Sequence, residues 1–156
     1  VPENQYTVKL PDGTPLNANK GGIEDQLLIF LGDPNSKPSK RFLFNFDQLS
    51  FNKGSTVISN ESMVQVQNVA SILKAYPKIK IRIGAFNDKG GDSLFNKTLS
   101  ENRASTVAAA LKSAGANPKQ IAGVEGFGSD FAKYPADAAD SLREKDRRIS
   151  ISVRVK

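Results

Sequence analysis

The sequence contains no cysteine, no histidine and no tryptophan, and only one methionine. Without cysteine there are no disulfides, thiolate metal sites or cysteine nucleophiles; without histidine there is no imidazole-bound zinc and no Ser-His type triad. Long apolar runs are also missing. No window approaches the roughly 18 apolar residues of a membrane helix, and the opening Val1-Pro2-Glu3-Asn4-Gln5 lacks the basic-then-apolar pattern of a secretion signal. A chain that opens on Val1 is expected to be a mature protein or an excised domain that has lost at least its initiator methionine. Absence of thiols is compatible with both periplasm and cytosol, so redox chemistry assigns no compartment.

What is present fits about one ordinary domain: 156 residues, 38% hydrophobic and 24% charged. Lys+Arg 22 against Asp+Glu 16 gives a net charge of +6, which favours anionic partners such as a polyanionic polymer, a lipid surface or a nucleic acid.

The first 40 residues read as an attachment. Tyr6–Leu10 and Thr14–Asn17 flank an Asp12-Gly13 turn signal and predict a β-hairpin. Ile23, Leu27, Leu28 and Leu31 recur at helical spacing up to Gly32 and predict a short helix packed on the main body. Asp33–Lys40 carries turn formers and no apolar side chain, an exposed connector. The expected division is therefore 1–40 and 41–156.

From Arg41 the two periods alternate. Phe42, Phe44 and Phe46 predict a strand with a buried aromatic face, more consistent with a core than with a base-stacking platform. A helix is expected from Ser59 to Tyr76, stopped by Pro77. Ile79, Ile81 and Ile83 alternate with Lys78, Lys80 and Arg82 and predict a half-buried strand. Leu99–Ala114 predicts a second helix, capped by Ser100 and followed by Gly115. Strands over Ile121–Phe127 and Ile149–Val155 complete the order β-α-β-α-β-β. That order implies a two-layer α/β (α+β) sandwich with a mixed sheet and helices on one face.

Chemistry is expected first in the loop Gly84–Asp92, because ligands in open α/β folds gather at strand C-terminal ends and helix N-termini. Asp88 in this loop and Arg103 on the following helix most commonly form a surface or structural ion pair; the loop position keeps a ligand role open beside that reading. Gly90-Gly91 is no phosphate loop, since no Gly-Lys-Ser/Thr follows. Asp137, Asp140, Glu144 and Asp146 lack the spacing of a calcium loop, and Glu125 with Asp130 makes a weak case for glycoside cleavage. Neither a metal nor a cofactor is expected, and nucleic acid is not favoured as a partner. Arg143–Arg148 reads as a solvated, partly self-paired charge run or as an anion-facing rim.

Several of these segments together resemble the OmpA-like peptidoglycan-binding domain, the family of OmpA C-terminal domains, peptidoglycan-associated lipoproteins and flagellar-motor stator proteins. The carriers are Phe44-Asn45-Phe46-Asp47, Asp88 with Gly91 three residues on, Asn96–Ala104 with its Asn-x-x-Leu-Ser-x-x-Arg-Ala run, Gly126-Phe127-Gly128 and Asp146-Arg147-Arg148-Ile149. They span about Arg41 to Lys156, and residues 1–40 lie outside them. The resemblance implies a periplasmic, non-enzymatic domain that binds the diaminopimelate of the peptidoglycan stem peptide and tethers an outer-membrane or envelope protein to the wall. Envelope proteins are implied as further partners. In the family the loop Asp takes the ligand ammonium and the helix Arg its carboxylate, roles that fall on Asp88 and Arg103; Asn96 and Arg143 match further family positions. Asn87 stands where the family usually shows Thr, and Phe95 where it often shows Tyr. Asn87 still donates and accepts hydrogen bonds and is counted with the site. The rival reading is a protein-interaction module of the same fold without wall binding.

Overall fold

The computed structural model describes residues 4–156. A hairpin of β1 (Gln5–Lys9) and β2 (Pro15–Asn19) leads into helix α1 (Ile23–Gly32). There follow β3 (Phe44–Asn45), α2 (Asn60–Ala75), β4 (Lys80–Phe86), α3 (Ser93–Ser113), β5 (Ile121–Gly128), the short α4 (Asp140–Arg143) and β6 (Arg148–Val155). The main sheet has the order β3-β6-β4-β5; β4 and β5 are parallel, and β6 is antiparallel to both β3 and β4. The closing strand is thus inserted between the first and second strands. This sets Arg148 opposite Phe86 and brings the segment before β6 beside the loop after β4.

The alternation of β4 and β6 sorts their side chains. Ile81, Ile83, Ala85, Ile149, Ile151 and Val153 join the core formed with Val66, Val69 and Leu73 of α2 and with Ala104, Val107 and Leu111 of α3. The opposite face carries a second, aromatic cluster: Phe86 stacks on Phe127 at 4.8 Å, Phe42 and Phe131 meet these rings edge-on, and Arg148 lies 3.9 Å over Phe86.

Four expectations need correction. Strand β4 runs on to Phe86, so Gly84, Ala85 and Phe86, expected in the loop, are strand residues paired with both β5 and β6. The strand expected over 42–46 is two residues long, so its alternation fails: Phe44 and Phe46 are in the core, whereas Phe42 crosses to the other sheet face over Gly84. Helix α3 begins six residues before Leu99 and is capped by Asp92, whose side chain accepts from Leu94 N at 2.8 Å. Its first turns carry exposed Leu94 and Phe95 and so show no apolar stripe. Ser100 is buried mid-helix, where its hydroxyl donates to Lys97 O and accepts from Gly128 N, joining α3 to the end of β5. Gly115, with φ +110°, ends α3 as expected, its N–H reaching Lys112 O while Ala116 N–H reaches Leu111 O.

The hairpin and α1 share the core through Leu10, Leu16, Ile23 and Leu27. A polar network reinforces this. Asp47 Oδ1 accepts from Ile23 N at 2.9 Å, serving as the α1 cap that Gly22 has no side chain to provide, and from Gln65 Nε2 at 2.8 Å. Gln65 and Asn68 in turn donate to the two oxygens of buried Glu24. Asp47→Ala should therefore cost about 1–2 kcal/mol, the usual loss for a cap with its hydrogen bonds. Thermal unfolding should show this as a fall of roughly 3–6 °C.

Candidate functional site

The loop after β4 is shaped by its own hydrogen bonds. Asn87 N–H donates to Gly128 O at 2.7 Å, Gly90 N–H to Asp88 Oδ1 at 2.9 Å, and Asn96 Nδ2 to Gly90 O at 2.7 Å. Gly91, at φ +79°, makes the reversal that leads into α3. Asn87 Nδ2 donates to Asn96 O, while its buried Oδ1 has no donor among the described residues. The two Asn side chains hold the loop against the start of α3.

This loop forms one wall of a cleft of about 510 Å³ that brings together all five residues expected from the sequence: Asn87, Asp88, Asn96, Arg103 and Arg143. Arg103 and Asp88 do not pair with each other. Arg103 Nε donates to Ser55 O at 2.9 Å and Nη2 to Asn52 O at 3.1 Å, and its guanidinium lies 5.0 Å over the Phe51 ring. Its Nη1 makes no hydrogen bond among the described residues. Burial, with Arg147 nearby, lowers the Arg103 pKa, against a smaller opposing pull from Asp88.

Asp88 is instead held by the segment before β6. Arg147 Nη1 donates to its Oδ2 at 2.6 Å, and Arg143 Nη1 approaches the same oxygen at 3.4 Å. Burial raises the pKa of this carboxyl. The Arg147 hydrogen bond, the Gly90 N–H and the charges of Arg147 and Arg143 outweigh it and hold the group below its ordinary 3.8. Arg147 also reaches Asp140 at 3.1 Å. Because the folded pKa of Asp88 is depressed, the charged form favours the folded state above 3.8, and that contribution is lost as pH falls through the lower folded value. With no histidine in the chain, the melting temperature should be flat between about pH 5 and 8 and decline only in acid below 3.8. A pH series of melting curves checks this.

Arg147, Phe51, Lys53 and Asp140 also line the cleft and were not among the expected site residues. Arg147 is the most consequential of them. It immediately precedes β6, so the β4–β6 register places it beside Asn87 and Asp88; only the strand order, which periodicity does not supply, shows this. The run Arg143–Arg148 is therefore not a uniform solvated face. Asp146 is buried and accepts from Lys133 and Tyr134 N–H, Arg147 and Arg143 enter the cleft, and Arg148 covers Phe86. Glu125 and Asp130 have separate partners, Arg82 and Lys97.

The cleft lining carries four cations, Lys53, Arg103, Arg143 and Arg147, and two carboxylates, Asp88 and Asp140. It is a cationic site with one fixed, largely buried anion, suited to a ligand with more carboxylate than ammonium character.

Comparison with known proteins agrees with this fold. The sequence model of the OmpA family matches residues 50–148, and the chain belongs to that family. Its sequence is similar to outer membrane porin F of Pseudomonas fluorescens, 28% identical over 110 residues that cover 70% of this chain and 31% of the porin. The chain thus spans under a third of that relative. Among solved structures it is similar to the periplasmic domain of MotB from Helicobacter pylori, with TM-score 0.60 and 26% identity over 70% of this chain and 78% of that one. It is also similar to the peptidoglycan-associated lipoprotein from Burkholderia pseudomallei, with TM-score 0.54 and 27% identity over 81% of this chain and 98% of that one. No helix among the described residues is long and apolar enough to cross a membrane.

Proposed function

We propose that this domain binds peptidoglycan without cleaving it, taking the diaminopimelate end of a stem peptide into the cleft and tethering an envelope protein to the wall from the periplasm. The observation that carries the reading is the pairing, within one cleft, of an anchored carboxylate and a partly unengaged guanidinium. The diaminopimelate side chain ends in an ammonium and a carboxylate on one carbon, and these two groups need one fixed anion and one fixed cation. Asp88 accepts from Gly90, Arg143 and Arg147; a carboxylate has about four lone-pair sites, so room for a ligand ammonium remains. Arg103 Nη1 supplies the donor for the ligand carboxylate, fixed in direction by the two carbonyls that hold the rest of the guanidinium. Arg143 and Arg147 keep Asp88 ionised, and Asn87 and Asn96 set the loop that carries it.

We assign wall binding to residues 41–156 and read 1–40 as an extension packed into the same core. Co-sedimentation with purified sacculi tests the proposal. Wild type should be retained and Arg103→Ala should bind roughly ten- to hundred-fold more weakly, since a hydrogen bond to a charged group contributes about 1.5–3 kcal/mol. A melting curve must show that the variant still folds, because Arg103 also holds the 52–55 loop. Equal retention of both folded proteins would remove Arg103 from the site.

A further inference from the structure

The chain's net positive charge is concentrated at the end of the molecule opposite the cleft, which holds half of the 22 cations and only two of the 16 acids. That end is defined by the start of β4, the C-termini of α1, α2 and α3, the β1–β2 turn and the end of β6. It carries Lys9, Lys37, Lys40, Arg41, Lys74, Lys78, Lys80, Lys112, Lys119, Arg154 and Lys156, against the acids Asp12 and Asp33. All the cations except Arg154 and Lys156 are exposed, and none takes part in a salt bridge among the described residues. Lys74 and Lys112 sit in the last turns of α2 and α3, where a cation suits the helix dipole. Lys156 likewise donates to Asp33 O at the end of α1 and lies over the Phe30 ring, and Arg154 donates to Ser152 Oγ; the other seven are exposed and have no such structural reason. Charges of one sign gathered on one face repel each other, and an anionic partner relieves that cost.

We propose that this basic end docks on an anionic lipid bilayer surface. Nine of its eleven cations are lysines, compact charges on flexible stems, rather than the rigid forks that specific phosphate recognition favours. They come from separate segments spread over the whole end, and none lines the cleft described above. The exposed aromatic rings that could stack on bases, Phe95 and Phe131, follow the loop after β4 and the end of β5, at the cleft end. The arrangement suits a broad, negatively charged plane better than a strand or a pocket ligand. The length of β4 alone separates the two ends by roughly 20 Å, so the cleft faces away from a bilayer that holds the basic end. Lipid docking and the cleft ligand are then compatible at the same time, and neither inference depends on the other.

The test is co-sedimentation of the whole chain with phosphatidylcholine vesicles prepared with and without phosphatidylglycerol. Binding to the anionic vesicles alone, weakened by salt, is expected. The triple variant Lys37→Glu, Lys78→Glu, Lys119→Glu should bind at least roughly 100-fold more weakly, at about five-fold for each lysine lost, with the added glutamates weakening it further. The matched triple Lys20→Glu, Lys133→Glu, Lys145→Glu, with the same change in net charge at exposed sites elsewhere, should retain most of the binding. Equal loss in both folded triples would reduce the effect to bulk charge and overturn the proposal. So would failure of the wild type to bind anionic vesicles, or tighter binding to double-stranded DNA at the same ionic strength.

Discussion

Asp88→Asn is expected to weaken retention on peptidoglycan by roughly ten- to hundred-fold while leaving the domain folded. The amide has nearly the shape of the carboxylate and keeps an acceptor for Gly90 N–H, so the loop retains its turn. What disappears is the one largely buried negative charge of a cleft that already holds four cations. A ligand ammonium then meets Arg143 and Arg147 with no anion between them. The loss corresponds to about 1.5–3 kcal/mol for a charge-assisted hydrogen bond. The cost to stability should be smaller, because Arg147 and Arg143 both remain partly exposed and Arg147 keeps Asp140 as a partner. Parallel binding and melting curves separate the two effects. A variant that melts like wild type and binds sacculi equally well would remove Asp88 from recognition.

Gly126→Ala should produce the largest loss of stability from a single added carbon. Gly126 lies where β5 passes closest to α3, and a Cβ there would stand 2.6 Å from Ser100 Oγ and inside the van der Waals shell of Glu101 N. The second obstacle is backbone in the middle of a helix, so it cannot be relieved by a rotamer change; α3 must move off the sheet. Overpacking of this kind costs about 3 kcal/mol or more, a melting point lower by roughly 6–12 °C for a chain of this size. The site should suffer too, because Asn96 and Arg103 both ride on α3 and Ser100 ties that helix to Gly128. Unchanged melting of Gly126→Ala would mean that α3 and β5 are less closely packed than described.

Much of this architecture was legible in the sequence because its elements are strongly periodic. The hairpin, α1, α2, β5 and β6 follow apolar spacing and breakers closely, as with Ser59 and Pro77 bracketing α2, whereas β4 extends three residues past Ile83 to Phe86, where Gly84 and Ala85 carry no alternation. The errors occur where periodicity is absent for a physical reason. The first turns of α3 border the cleft and expose Leu94 and Phe95, so no buried stripe marks them. Phe42 belongs to the aromatic face of the sheet rather than the core, which a count of alternating Phe residues cannot distinguish. In the site, Asp88, Asn87, Asn96, Arg103 and Arg143 were expected and do line one cleft. The partner of Asp88 was not legible. Arg147 is 59 residues away and reaches Asp88 only because β6 inserts beside β4. A local pattern also cannot show that Arg103 turns to the carbonyls of the 52–55 loop instead of to Asp88.

The most direct test of the recognition mechanism is a titration of the labelled domain, followed by amide chemical shifts, with a diaminopimelate-containing stem peptide and a lysine-containing stem peptide as control. The lysine peptide offers the side-chain ammonium without the carboxylate on the same carbon, so it can engage Asp88 but not Arg103. Saturable shifts centred on Asn87, Asp88, Asn96 and Arg103 with the first peptide, and much weaker ones with the second, are the predicted result. Absence of shifts with the diaminopimelate peptide, or equal response to both, would contradict recognition through an Asp88 and Arg103 pair.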